Sequence, residues 1–176
     1  YARFPSASAS STTRDAVDVR IERPGFPPIV VIDTAGVRKR HSVQDSVEHF
    51  SLERVDAAVR RCDAVLLLFD CTTEISDLDK KLARFVIDHH KPCAIVASKW
   101  DLARASRDSF QEYIQAKLTG LPFAPISFLS AQDGENVWET VRLALELHEQ
   151  AGKRVGTGEL NRVLDTGVSP DRVSYG

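Results

Sequence analysis

Methionine is absent from the 176 residues, and the chain opens at Tyr1 with no charged and apolar leader. Both features predict a piece of a longer translation product and argue against a signal peptide. Cysteine is scarce. Cys62, Cys71 and Cys93 form neither a CxxC pair nor an even set, which argues against a disulfide framework or a zinc site and for a reducing, cytoplasmic compartment. Apolar runs are short, none approaching the roughly 18 residues of a membrane span, so no contact with a bilayer interior is expected. Nor does one sign of charge dominate: 23 basic against 25 acidic side chains leave −2. No global positive field would hold nucleic acid, and any RNA contact has to be local. What remains, 43% hydrophobic and 27% charged residues, suits a globular chain that can bury a core but is too short for two full domains.

Residues 1–13, YARFPSASASSTT, are small and polar without a usable period and read as an irregular arm. Val17, Val19 and Ile21 then alternate with charged partners, and Ile29 to Ile32 form a short apolar run beyond the turn-rich ERPGFPP, a pattern that predicts a hairpin. Three more apolar runs follow, Ala64 to Phe69, Cys93 to Ala97 and Ala124 to Leu129. Stretches of helical period separate them, an alternation that implies an α/β fold with a mostly parallel sheet. Leu52, Val55, Val59 and Cys62 make one apolar stripe, Leu78, Leu82, Phe85 and Val86 a second, and Phe110, Ile114 and Leu118 a third. A fourth stripe is Trp138, Val141, Leu145 and His148, entered through Asp133-Gly134. Ser76 with Asp79 resembles a capping box and starts the second helix near Asp77. After Gln150 the pattern weakens, with one brief helical turn or two in ELNRVL.

Chemistry concentrates at the ends of the predicted strands, where open α/β sheets place ligands. In VVIDTAG, residues 30–36, a strand ends in Asp33 and runs into a small turn. An aspartate there suits Mg²⁺, a hard cation that prefers oxygen ligands, and Gly36 lets a backbone N–H approach a phosphate oxygen closely. Taken alone, DTAG has a second, less favoured reading as a strand-terminal turn. SKWD, residues 98–101, follows a second strand. The Asp101 carboxylate accepts two hydrogen bonds, which suits the paired N–H donors on guanine, while the methylenes of Lys99 can lie along a base face. Ser130-Ala131 ends the last strand with residues small enough for a backbone N–H to reach a base carbonyl.

In that order, TTRD (residues 12–15), DTAG, SKWD and Ser130-Ala131 resemble the motifs of a translation-factor-class GTPase. The run from Asp33 to Asp70 is similar to the second GTP-binding domain of the Der (EngA) family of ribosome-assembly GTPases, and KRVGTGELNRVL to the segment leading into that family's KH-like domain. The resemblance covers about Arg3 to Leu164. It implies a P-loop NTPase-like three-layer α/β/α fold whose mostly parallel sheet carries one antiparallel edge strand, with a GTP-binding domain over 1–152 and a linker and start of a KH-like domain over 153–176. It implies GTP or GDP and Mg²⁺ as ligands, with Thr13, or else Thr12, and Asp33 at the metal. Thr13, Asp33 and Gly36 would act in hydrolysis. Asp33, Thr34, Ala35, Gly36 and Val37 with Ser98, Lys99, Trp100, Asp101, Ser130 and Ala131 would line the nucleotide. Partners implied for the parent are the large ribosomal subunit and its rRNA, a neighbouring GTPase domain and the KH-like domain.

The sequence also departs from that family. GxxxxGK[ST] occurs nowhere, so the phosphate cradle and the first, central strand that leads into it are expected to be missing. The neighbouring strands should then keep unpaired edges or close on each other, leaving the chain poorly stable and hydrolysis by it weak or absent. Val37 stands where other GTPases orient water with glutamine, and K⁺ is the device that the resemblance implies instead, although its expected ligands belong to the missing loop. Ser98 replaces asparagine, and Ser11 replaces the glycine before TTRD. His89-His90 and the pair His41 and His49 lack a third ligand and read as helix end and loop, and Trp138 reads as core. Arg38-Lys39-Arg40 reads equally as a solvated run or an RNA contact. Two other functions stay open: a non-catalytic module that binds rRNA or a partner, and a tRNA-modification GTPase.

Overall fold

The computed structural model describes residues 17–33 and 46–167, with side chains over 18–32 and 53–165. Strand β1 (Val17–Ile21) pairs antiparallel with β2 (Ile29–Asp33), Ile21 opposite Ile29. The turn joining them follows from its residues. Pro24 supplies a fixed negative φ, Gly25 takes φ 84°, and the Phe26 N–H donates to the Arg23 carbonyl at 3.1 Å, a type II turn.

A second sheet holds β3 (Val65–Asp70), β4 (Cys93–Ser98) and β5 (Ile126–Phe128), all parallel in that order. Val65 is level with Cys93, and Ile95 with Ile126. Alternation along β4 sends Cys93, Ile95 and Ala97 to one face and Ala94 and Val96 to the other; all five are buried, as the centre of a doubly covered sheet requires. Helices α2 (Asp77–Asp88) and α3 (Arg107–Lys117) cover the first face through Ala83, Val86, Phe110 and Ile114. Helix α4 (Val137–Gly152) packs against β4, and Ser127 and Thr140 join β5 to α4 by a 2.7 Å hydroxyl hydrogen bond. The result is the expected α/β/α layering. Helix α1 (Ser46–Arg61) lies beside α2, burying Val55, Ala58 and Val59.

The capping box forms as predicted: Ser76 Oγ accepts from the Asp79 N–H at 3.3 Å, and Asp79 Oδ2 accepts from the Ser76 N–H at 2.8 Å. Three expectations need correcting. The last strand is three residues rather than the whole run from Ala124, because Pro125 has no N–H to extend the ladder. His148 is exposed on α4 and does not complete the apolar stripe. ELNRVL belongs to an eleven-residue helix, α5 (Thr157–Gly167), on which Leu160 and Leu164 remain about half exposed. No ladder joins β2 to β3 among the described residues, and Val30 and Leu68 are 56% and 61% exposed.

Side chains hold the hairpin to the rest. Asp18 accepts two hydrogen bonds from the Arg61 guanidinium, at 2.6 and 2.8 Å. At the other end the Arg23 guanidinium lies 3.9 Å above the Trp138 ring, whose centroid is 5.3 Å from that of Phe26. Trp138 is thus half-buried under the hairpin turn.

Candidate guanine-nucleotide site

Parallel pairing brings the carboxyl ends of β3, β4 and β5 to one edge, with Asp70 opposite Ser98. Beyond Ser98 the chain must turn sharply. Lys99 takes the left-handed conformation (φ 58°, ψ 37°), and Trp100–Leu102 form a single 3₁₀ turn closed by the Leu102 N–H on the Lys99 carbonyl at 2.9 Å. A left-handed lysine is costly, and the surroundings hold it there. The Cys71 N–H donates to the Ser98 carbonyl at 3.1 Å, and the Cys71 thiol to the Lys99 carbonyl at 3.0 Å. The Trp100 N–H donates to the Leu129 carbonyl at 3.0 Å. SKWD is therefore stitched to both neighbouring strand ends.

Its side chains divide. Lys99 and Asp101 are exposed at the strand-end edge. Trp100 turns the other way, its ring 4.4 Å from that of Phe128 and 5.5 Å from that of Phe110, so its indole serves the core. Ser98 Oγ donates to the Phe69 carbonyl at 2.9 Å and is occupied within the sheet. Ser130 is fully buried: its hydroxyl accepts from the Asp133 N–H and donates to Asp133 Oδ2, and its N–H donates to the Glu135 carbonyl. That leaves Ala131, exposed on the same loop, to offer a backbone N–H. Asp33 ends β2, but its side chain, Thr13 and residues 34–37 lie outside the described residues, as do Arg38-Lys39-Arg40 and His41 and the side chain of His49.

Asp70 was not among the residues singled out in the sequence. Its Oδ1 accepts from the Thr72 N–H and hydroxyl at 2.9 and 2.6 Å, and its Oδ2 pairs with the Lys99 ammonium. That ammonium, with help from Thr72, holds the Asp70 carboxyl down at about 2. The available signal was that LLLFD, like VVID, is a buried strand ending in an acid. A cleft of about 390 Å³ lies elsewhere, along β5 and α4 between Arg107, Phe128 and Arg142, and includes none of these groups. Among the described residues no three His, Cys, Asp or Glu side chains converge as a metal site, and no helix is long and apolar enough to cross a membrane.

The layering and the strand-end loop define the class: this is the α/β fold of P-loop GTPases. Solved structures of similar fold include Era in complex with MgGDPNP and nucleotides 1506–1542 of 16S ribosomal RNA, with TM-score 0.63 and 24% identity over 80% of this chain and 47% of that one. A probable GTP-binding protein engB gives TM-score 0.60 and 15% identity over 76% and 84%. More particularly, the chain belongs to the family described as 50S ribosome-binding GTPase, whose model matches residues 2–99. Curated relatives include GTPase Der of Rhodopirellula baltica, 38% identical over 94% of this chain and 37% of that protein, and GTPase Der of Clostridium tetani, 37% identical over 89% and 36%. The chain thus spans little more than a third of the length of the relatives it matches.

Proposed function

We propose that this chain supplies the guanine-binding part of a Der-like GTPase that assists assembly of the large ribosomal subunit in the cytoplasm. GTP-binding residues run over 1–152, and 153–176 form a linker and the start of a KH-like domain. The observation that carries the reading is the SKWD loop, fixed to the ends of β3 and β5 with Lys99 and Asp101 exposed on the ligand edge. A carboxylate and a lysine stem there, with the Ala131 N–H nearby, match the edge, face and carbonyl of guanine.

In the parent protein, GTP is hydrolysed to GDP and phosphate by in-line attack of water, with catalysis from positioning and charge stabilisation. Thr13 and Asp33 are the residues proposed to hold Mg²⁺, which supplies charge for the phosphates. Asp33 to Val37 form the second switch; Val37 has no side-chain group to orient water, and a K⁺ ion held by ligands outside these residues would supply the charge that a water-orienting glutamine supplies elsewhere. With no GxxxxGK[ST] among these residues, hydrolysis by the chain alone is weak. The family's description as 50S ribosome-binding GTPase and the Era complex with 16S ribosomal RNA support rRNA as a partner of the parent.

The test is base choice. Asp101→Ala should weaken binding of GTP much more than of XTP, because guanine loses the partner of both its N1–H and its 2-amino group, whereas xanthine has an acceptor carbonyl in place of that amino group. Equal losses, or no competition by either nucleotide against a fluorescent GTP analogue on the unaltered chain, would reject the reading.

A further inference from the structure

We propose that Asp70 is a positioning residue of the guanine site, holding the Lys99 ammonium so that the lysine stem lies stretched along the place of the base face. The inference rests on the guanine reading above and adds a residue outside the SKWD motif.

The geometry begins with the backbone. Asp70 is level with Ser98, the residue before the left-handed turn, so its side chain leaves β3 beside Lys99. Both carboxylate oxygens are engaged, in different directions: Oδ1 by the N–H and hydroxyl of Thr72, Oδ2 by Lys99 Nζ. Thr72 therefore fixes the carboxylate plane, and the plane fixes where the ammonium sits. Cys71 fixes the peptides on either side of the turn through the Ser98 and Lys99 carbonyls. With its Cα and its ammonium both tied, the methylene chain between has little freedom. An untied lysine would distribute itself over many rotamers and lose that freedom on covering a base. Lys99 and Asp70 side chains are 51% and 28% exposed, so the tether sits at the rim, where a ligand can reach the stem without breaking into the core.

A base monophosphate tests this without calling on the γ-phosphate machinery. The full chain is titrated with GMP and with AMP, followed by amide resonances, for the unaltered protein, Asp70→Asn, Lys99→Met and the double variant. GMP should bind at millimolar concentration and AMP should not. Asp70→Asn should weaken GMP about three- to fivefold, the range of an exposed ion pair. In the Lys99→Met background Asp70→Asn should add no further loss, since the carboxylate acts only through that ammonium. A separate readout needs no nucleotide: the Asp70 carboxyl ¹³C titration should move up in Lys99→Met. Thr72→Val, which frees the carboxylate but leaves its charge, serves if Asp70→Asn fails to fold, and should likewise weaken GMP only when Lys99 is present.

Equal weakening of GMP with and without Lys99, or an Asp70 titration that ignores Lys99→Met, overturns the tether while the guanine site stands. If the tether titrates as expected but the unaltered chain takes GMP and AMP alike, or neither, the guanine reading has failed and the role of Asp70 falls with it.

Discussion

His89 Nε2 lies 2.6 Å from Asp56 Oδ1, joining the residue that caps the end of α2 to the middle of α1. Asp56 also accepts from Arg60 one turn on, and Lys91 Nζ donates to the carbonyls of Arg60 and Cys62 at 2.9 and 2.6 Å, filling the open end of α1. The segment His89–Lys91 therefore fastens α1 to the connection between α2 and β4.

This fastening has a pH signature. His89 and then Arg60 hold the Asp56 carboxyl below its ordinary 3.8. A carboxyl whose pKa is lowered by folding adds stability above the unfolded value and loses it as pH falls through the folded one. Thermal unfolding between pH 7 and pH 2 should therefore show a loss beginning near 3.8 that is reduced in Asp56→Asn. An identical acid limb in both proteins would mean that the pair contributes nothing.

The core under α2 and α3 should behave as one packed unit. Ile114 is 1% exposed and sits in the cluster with Phe110, Val86 and Ile95. Ile114→Ala should cost about 2–5 kcal/mol in urea unfolding, the transfer term plus a cavity. Leu102→Ala, at a side chain 57% exposed, should stay within about 0.5 kcal/mol.

Ser98 offers a gain rather than a loss. Its hydroxyl is spent on the Phe69 carbonyl, whereas an amide at the same place carries two donors and an acceptor. Ser98→Asn should tighten guanine-nucleotide binding by about 1 kcal/mol, about fivefold, measured by displacement of a fluorescent analogue. No change would mean that the amide finds no partner in this loop.

Local signals in the sequence carried far. Alternation located the hairpin, periods of three and four located α1 to α4, and Ser76 with Asp79 placed the start of α2, because each of these depends on neighbours in the chain. The boundaries that slipped had causes beyond period: Pro125 shortened β5, and α5 ran past its apolar core of ELNRVL. Within the site, Lys99 and Asp101 were legible as a motif, but the partner of Lys99 was not. Asp70 lies 29 positions away and meets it only because β3 and β4 run in register. Likewise Trp100 sits inside SKWD yet turns to Phe128, a direction set by the left-handed residue before it.

Among the described residues the hairpin shares no ladder with the main sheet and is, mechanically, a flap latched at two corners. Among the described residues, moving it as a unit requires release of Asp18 from Arg61, of the Arg23 and Phe26 stack from Trp138 and of Phe26 from the Arg142 guanidinium, but of no inter-sheet backbone bond. Such a piece opens in its own step, below the free energy of global unfolding. Amide protons of β1 and β2 should accordingly exchange as one early group, well before those of β4, and Arg23→Ala should hasten them while leaving β4 unchanged. The carboxyl end of β2, and with it Asp33, would travel on that flap.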